Sequence, residues 1–381
     1  MPVETILSNA RVVTANEVFD GSVVLRAGKV FDVQPGVSQV PGAEDMQGSY
    51  LLPGLVELHT DNLEKHMSPR PGVDWPSASA VLSHDAQIIA AGITTVFDAL
   101  SIGDINPRGK RMQQLPQMLA AITQAQSQGN TRAEHRLHLR CEVCHPDVLS
   151  VFRDLVEDPL VQLVSVMDHS PGQRQFAKEA KYREYYMGKY HLSVAEMDAF
   201  IEEQIANSKQ YSDRHRQQIV QECHLRGLSI ASHDDATLAH VQESASLGMA
   251  IAEFPTTLEA AKASHSLGLS VLMGAPNIVR GGSHSGNIAA AELARLGVLD
   301  ILSSDYYPAS LLQAALQLAD LDNDYDLAKA IATVSLNPAR AAGLDDRGEI
   351  RTGLRADLVQ ARLHDKQVVV QQVWRQAKRV Y

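Results

Sequence analysis

Cysteine is scarce in this chain of 381 residues: only Cys141, Cys144 and Cys223 occur. Three thiols are too few for a disulfide scaffold and suit a reducing cytoplasm, the expected location. Cys141 and Cys144 form a CxxC pair, but one further cysteine cannot complete a four-thiolate zinc site. No apolar run reaches the ~20 residues that cross a bilayer, so no membrane association is expected. The start, MPVETILSNARVV, lacks a basic region followed by an apolar stretch, and no secretory signal is read there. Positive charge is in deficit, with 34 Lys and Arg against 45 Asp and Glu and a net charge of −11. Proteins that hold nucleic acid by neutralising phosphates are usually basic, so nucleic acid is not an expected partner. An anionic small substrate stays open if metal, Arg and Lys are concentrated locally against the overall field. The 24 Gly and 16 Pro follow no fixed period, which excludes a fibre. With 45% hydrophobic and 21% charged residues the chain has the composition of an ordinary globular protein.

Both ends of the chain read as short strands. Residues 5–10, 10–14, 21–26 and 28–33 are β-branched or alternating, and so are 356–361 and 367–374, with a short edge at 379–381. Two β-rich ends around a long middle predict one discontinuous β-sandwich domain, 1–50 with 345–381. The middle, 51–344, alternates apolar runs with helical patterns. The runs are 51–59, 93–99, 136–143, 161–169, 228–233, 249–254, 269–275 and 299–304. Helices are expected between them, several ending at a glycine such as Gly227, Gly248 or Gly268, where a left-handed cap is needed. Eight such β/α units predict an α/β fold, a (β/α)8 TIM-like barrel. The charged, tyrosine-rich stretch 170–213 breaks the rhythm and reads as an insertion: a lid, a subunit contact or a solvated excursion.

Chemistry in such barrels sits at the C-terminal ends of the strands. The runs end in His59-Thr60-Asp61, near Asp98, in Arg140-Cys141-Glu142, Asp168-His169, His233-Asp234-Asp235, Glu253 and, after the last, Asp305. Desolvating so many ionisable groups at one end is costly without a cation, so one or two divalent metals are expected. His59 and Asp61 are two apart and face one way on a strand. Glu142 could bridge two ions. No lysine ends the second, third or fourth run, which argues against a carbamylated-lysine bridge. His59, Asp61, Glu142, His169, His233 and Asp305 are the candidate ligands, with Asp305 also the candidate base; Asp168, Asp234 and Glu253 are alternatives. Mixed His and carboxylate ligands suit Zn, Mn or Fe and leave Mg open.

The stretch LLPGLVELHTD, the barrel, Asp305 and the tail NPARAAGLDDRGEIRTGLRADLV resemble the amidohydrolase superfamily over the whole chain. That superfamily usually has His-x-His on its first strand; here it is His-x-Asp. HTDNLEKHMSPRP, AEHRLHLRCE, MDHSPGQRQF, SHDDAT, AEFPTT, GAPNIVRGGSHSGN and SSDYYP, in that order, narrow the resemblance to the α-D-ribose 1-methylphosphonate 5-triphosphate diphosphatase family of the carbon–phosphorus lyase pathway. The resemblance implies hydrolysis of a ribose triphosphate phosphonate to pyrophosphate and 5-phospho-α-D-ribose 1-methylphosphonate.

The basic residues agree with an anionic substrate. Lys65, Arg70, Arg140, Arg174 and Arg183 follow the first, third and fourth runs, and Arg280 precedes the turn Gly281, Gly282, Ser283, His284. That turn is expected to feed a helix beginning near Gly286, whose N-terminus would offer N–H groups to phosphate. Competing readings are a C–N hydrolase, such as a deacetylase or cyclic amidase, and a non-catalytic relative that kept the fold. The basic residues weigh against the first and the retained strand-end groups against the second. Oligomeric state is not legible in the residues; a homodimer is open by analogy.

Overall fold

The computed structural model describes residues 4–106, 109, 111–176, 179–283, 286–321 and 323–381. Eight strands follow one another in a single sheet in sequence order: β6 (Leu55–Thr60), β7 (Ile93–Ile102), β8 (Glu134–Glu142), β9 (Val161–Met167), β10 (Ser229–His233), β11 (Ile251–Glu253), β12 (Ser270–Gly274) and β13 (Ile301–Ser303). A parallel bridge between Thr60 and Asp305 joins the last strand back to the first, as a (β/α)8 barrel requires. The remaining strands are β1 (Glu4–Val13), β2 (Val18–Arg26), β3 (Lys29–Pro35), β4 (Glu44–Asp45), β5 (Tyr50–Pro53), β14 (Leu358–His364), β15 (Gln367–Arg375) and β16 (Lys378–Arg379). They form a separate mixed sheet in the order β16-β15-β14-β5-β1-β2-β3, with β4 paired to β1. The two β-rich ends therefore do meet, β14 lying antiparallel to β5 with Leu358 opposite Pro53.

The helices are α1 (Asn62–Met67), α2 (Ser77–Ala90), α3 (Arg111–Ser127), α4 (Val148–Leu155), α5 (Glu179–Tyr190), α6 (Val194–Arg226), α7 (Leu238–Ser246), α8 (Leu258–Ser266), α9 (Ala275–Arg280), α10 (Ala290–Arg295), α11 (Ser310–Ala319), α12 (Leu327–Ala332) and α13 (Leu336–Ala341). Among the described residues no helix is long and apolar enough to cross a membrane.

The chain forms two compact units: one holds the chain up to Asp98 with Ala121–Arg136 and Met273–Tyr381, the other Ala99–Ala120 and Leu137–Leu272. In the first, the terminal sheet buries the inward set of its alternating strands, including Leu7, Val12, Val23, Leu25, Leu51, Leu358 and Trp374. The expected break at residue 10 is a bulge: β1 is one strand whose register shifts between Leu7 and Ala10, with Asn9 at φ 55°. Asn tolerates that left-handed conformation, so the strand bends without ending.

In the second unit, the expected boundary between an insertion ending at 213 and a following helix is absent. Both belong to α6, 33 residues long. Ser193 and Glu196 close a capping box at its start, no Gly or Pro interrupts it, and Gly227 at φ 65° ends it. The N-terminal part of α6 packs Met197, Phe200 and Ile201 on Phe176, Tyr182, Tyr186 and Leu192, a small aromatic core within the insertion. Apolar burial of that kind gives the segment a fixed structure despite its many charges.

Candidate functional site

In the first unit, β6 alternates Glu57 and His59 toward one side, and Asp61 follows the strand. Glu57 is fully buried and accepts from the His59 amide at 2.7 Å, the Ser303 hydroxyl at 2.7 Å and the Ser304 amide at 2.6 Å. It thereby staples the first barrel strand to the last. Burial pushes its pKa up to about 7, against the opposing pull of these hydrogen bonds. Asp305 follows β13. Its amide donates to the His59 carbonyl at 3.1 Å and its carbonyl accepts from the Thr60 hydroxyl at 2.7 Å. Its φ is 53°, a strained value for a residue with a Cβ, and such strain concentrates at functional sites. Asp61 stands at the start of α1 without capping it, and its buried Oδ1 has no hydrogen-bond partner among the described residues.

In the second unit, two histidines share one arrangement. His169 Nδ1 lies 2.6 Å from Glu142 Oε2 and its Nε2 lies 3.5 Å from Asp234 Oδ2. His233 Nδ1 lies 3.2 Å from Glu253 Oε2 and its Nε2 lies 3.6 Å from the same Asp234 oxygen. One donor atom from each of His169, His233 and Asp234 lies within 4.8 Å of the others. Two ligands bound at ~2.1 Å in a tetrahedral shell stand about 3.4 Å apart, close to the two separations from Asp234. Metal-binding histidines usually give their other ring nitrogen to a carboxylate, the position Glu142 and Glu253 hold.

The charges agree with that geometry. Burial would lower the His169 pKa, but Glu142 and Asp234 outweigh it and raise it to about 10. Burial would raise Asp234, yet His233, His169 and Arg140 hold it below the usual carboxylate range. Asp234 is at φ 56° and Phe254, just after Glu253, at φ 53°. The Phe254 ring stands edge-on to His233 at 5.5 Å and Phe176 edge-on to His169 at 6.2 Å.

Other expected residues are placed differently. Asp98 is not at a strand end. It lies inside the ten-residue β7, fully buried, 2.7 Å from both His84 and His135. His135 also reaches Asp85 at 3.3 Å, and the two carboxylates overcome burial to raise its pKa to about 9. Asp168 is occupied by the Ser170 and Ser208 hydroxyls. Arg183 is paired on the insertion surface with Glu179 at 2.8 Å and Asp198 at 2.6 Å. Lys65 donates to the Tyr306 carbonyl and Arg280 lies 3.5 Å from the Tyr306 hydroxyl. Arg70 is exposed in a short turn bridged to Val73. Arg174 is buried on Asp235 and the His233 carbonyl, and the buried Nε of Arg140 has no hydrogen-bond partner among the described residues.

The Gly281–Ser283 turn does not feed a helix. Gly281, at φ 80°, caps the C-terminus of α9, and the next helix begins at Ala290 instead of near Gly286. A helix C-terminus carries negative partial charge and repels phosphate, so the helix-N-terminus argument for Gly281, Gly282 and Ser283 does not hold. His284 lies outside the described residues. The CxxC pair also separates. Cys141 joins no group of metal-type donors among the described residues, while Cys144, held protonated by burial and Glu142, donates to that carboxylate at 3.4 Å.

Sequence reasoning missed Glu57 and His138. His138 sits on the same strand face as Arg140 and Glu142, 2.9 Å from Ser165 Oγ and 3.9 Å from Glu253. Period-two spacing from His59 and from Glu142 is the signal that would have found both.

The chain matches the Amidohydrolase family over residues 151–381. It is 55% identical over 377 residues to the alpha-D-ribose 1-methylphosphonate 5-triphosphate diphosphatase of Escherichia coli (strain K12), covering 99% of this chain and 100% of that protein. Among solved structures it resembles the N-acetyl-D-glucosamine-6-phosphate deacetylase of Mycobacterium smegmatis, with TM-score 0.65, 16% identity and coverage of 99% and 100%. It likewise resembles the 5-methylcytosine deaminase of Klebsiella pneumoniae, with TM-score 0.64, 16% identity and coverage of 99% and 98%. Those two likenesses concern the fold alone. The eight-stranded barrel, the strand-end histidines and carboxylates and the full-length relative agree: this chain is a hydrolase that belongs to the amidohydrolase family, together with the Escherichia coli diphosphatase.

Proposed function

We propose that this chain hydrolyses α-D-ribose 1-methylphosphonate 5-triphosphate to pyrophosphate and 5-phospho-α-D-ribose 1-methylphosphonate, in phosphonate breakdown. The observation that carries the reading is the end-to-end relationship, at 55% identity, to a protein of that name. His169, His233 and Asp234 are proposed to hold a divalent ion, with Glu142 and Glu253 orienting the two imidazoles. His59 and Asp61 are proposed as ligands from their own strand end, the unpaired Asp61 oxygen being a donor in need of a cation. A bound divalent ion supplies Lewis-acid polarisation of a phosphoryl oxygen and lowers the pKa of water from 15.7 toward ~7.

The chain's own residues do the rest. Asp305, rigidly set by its bonds to His59 and Thr60, orients the attacking water and takes its proton. Attack at the α-phosphorus in line with the departing pyrophosphate needs cations where charge builds, and Arg140 and Arg174 are proposed for that role. The test is ³¹P NMR of metal-loaded protein with the triphosphate. Pyrophosphate with a 5-monophosphate is the expected outcome. Orthophosphate alone would move the cleavage site, and no turnover with metal bound would return the chain to the C–N hydrolase alternative.

A further inference from the structure

The second unit holds a cleft of about 360 Å³ close to the His233 strand end, within the ~300–1,000 Å³ usual for small-molecule sites. Three segments line it. The stretch after β9 contributes Arg174, α6 contributes Ser208, Ser212 and Arg216 at intervals of four, and α7 contributes His240. We propose that this cleft is the subsite for the diphosphate end of the substrate, the two phosphoryl groups that leave as pyrophosphate. The inference rests on the triphosphate reading above and adds to it the residues that recognise the leaving group.

The two arginines carry the case. Arg174 is 3% exposed and Arg216 6% exposed. Buried guanidiniums are costly and are kept where planar recognition of carboxylate or phosphate needs them. They reach the cleft from different segments, so one anion can be gripped from two sides. Arg174 also donates to the His233 carbonyl at 3.4 Å, which fixes the cleft beside a proposed metal ligand. The buried Asp235 pairs with Arg174 and holds its guanidinium in place. Lys209, exposed on α6, adds a third cation at the mouth.

Three carboxylates also face the cleft and must be accounted for. Glu243 ties the guanidiniums together, 3.5 Å from Arg174 and 3.0 Å from Arg216, and its side chain is 40% exposed. Asp213 pairs with Arg216 at 3.1 Å and its side chain is 92% exposed. Both can yield to an incoming phosphate by turning into water. Asp168 stays, held by the Ser170 and Ser208 hydroxyls and 4.0 Å from Arg216. Glu243 is thus a competitor for the same N–H groups, and its removal should strengthen anion binding.

The test is calorimetric titration of inorganic pyrophosphate into metal-loaded wild type, R216M, K209M and E243Q, with KM for the triphosphate measured alongside. R216M removes a charge-assisted hydrogen-bond donor and should weaken pyrophosphate binding about 10–100-fold and raise KM. K209M should weaken it about two- to fivefold, and E243Q should tighten it, a change a merely structural role would not produce. Should R216M fail to fold, K209M and E243Q, both altered at the rim, carry the test. Unchanged pyrophosphate affinity and KM in the variants, with wild type turning over the triphosphate, would overturn the subsite and leave the function standing. A wild type that neither turns over the triphosphate nor binds pyrophosphate would overturn both.

Discussion

The backbone amide of Asp305 donates to the carbonyl of His59 across 3.1 Å, so main chain holds the residue after the last barrel strand against the first strand. Position is therefore set by main chain, and replacing the side chain leaves it intact. Asp305→Asn should keep metal content and KM near wild type and lower kcat by about 10²-fold or more. Near-normal turnover in that variant would remove Asp305 as the base.

Glu57 should leave a signature in the pH dependence of stability. Its folded pKa of about 7 lies above the ordinary value of 4.5, so the folded state holds the proton more tightly than the unfolded chain. The favourable contribution is complete below pH 4.5 and is lost as pH rises through 7, a change of about 3 kcal/mol for a fully buried group. Urea unfolding of metal-stripped protein between pH 4.5 and 8 should show this decline in wild type and a flatter profile in Glu57→Gln. Equal slopes would show that Glu57 does not titrate there.

Metal loading should expel a proton. Glu142 and Asp234 keep His169 protonated up to about pH 10, against burial, whereas a metal ligand must be neutral imidazole. EDTA should abolish turnover and a divalent ion restore it. Calorimetry at pH 7.5 in buffers of different ionisation enthalpy should register about one proton released per site from His169. No release would strike His169 from the ligand set.

Glu142→Gln separates orientation from support. Losing the carboxylate on His169 should weaken metal affinity about 10–100-fold. A drop in thermal stability with unchanged metal affinity would make Glu142 a structural residue only.

In the first unit, Glu134 accepts from Arg136 at 2.6 Å and from Arg347 at 2.9 Å, and it also binds Arg355. Burial would raise its pKa, but Arg347 and Arg355 lower it to about 2. Stability from this carboxylate is present above pH 4.5 and is lost as pH falls through about 2. Glu134→Gln should cost about 3 kcal/mol at pH 7, and that cost should fade as pH falls through about 2. Matching acid-unfolding curves for variant and wild type would refute the linkage.

Strand ends were legible in the sequence because burial on both faces leaves near-continuous apolar runs, and the ionisable residue that stops each run marks its C-terminal end. His59, Glu142, His233 and Glu253 sit at strand ends on that logic. Asp98 misled because β7 runs on to Ile102, beyond a carboxylate neutralised by His84 and His135. The pairing of Glu142 with His169 and of Glu253 with His233 joins neighbouring strands, and register between strands leaves no local pattern. The α9 helix leaves little trace in the sequence because it is six residues long and runs into a Gly-rich turn. Arg216 has no signature in the sequence because a 33-residue helix offers many cations and only packing buries one.

The terminal sheet also constrains how the chain is made. Leu51 and Leu52 in β5 wait for β14, since Pro53 pairs with Leu358. At a translation rate of about 5–20 residues per second, the roughly 300 intervening residues take about 15–60 s to emerge from the ribosome. Throughout that interval the nascent chain carries an apolar strand edge with no partner, the kind of surface that seeds aggregation. Nonsense truncations anywhere before β14 should therefore yield insoluble product even when every barrel strand has been translated.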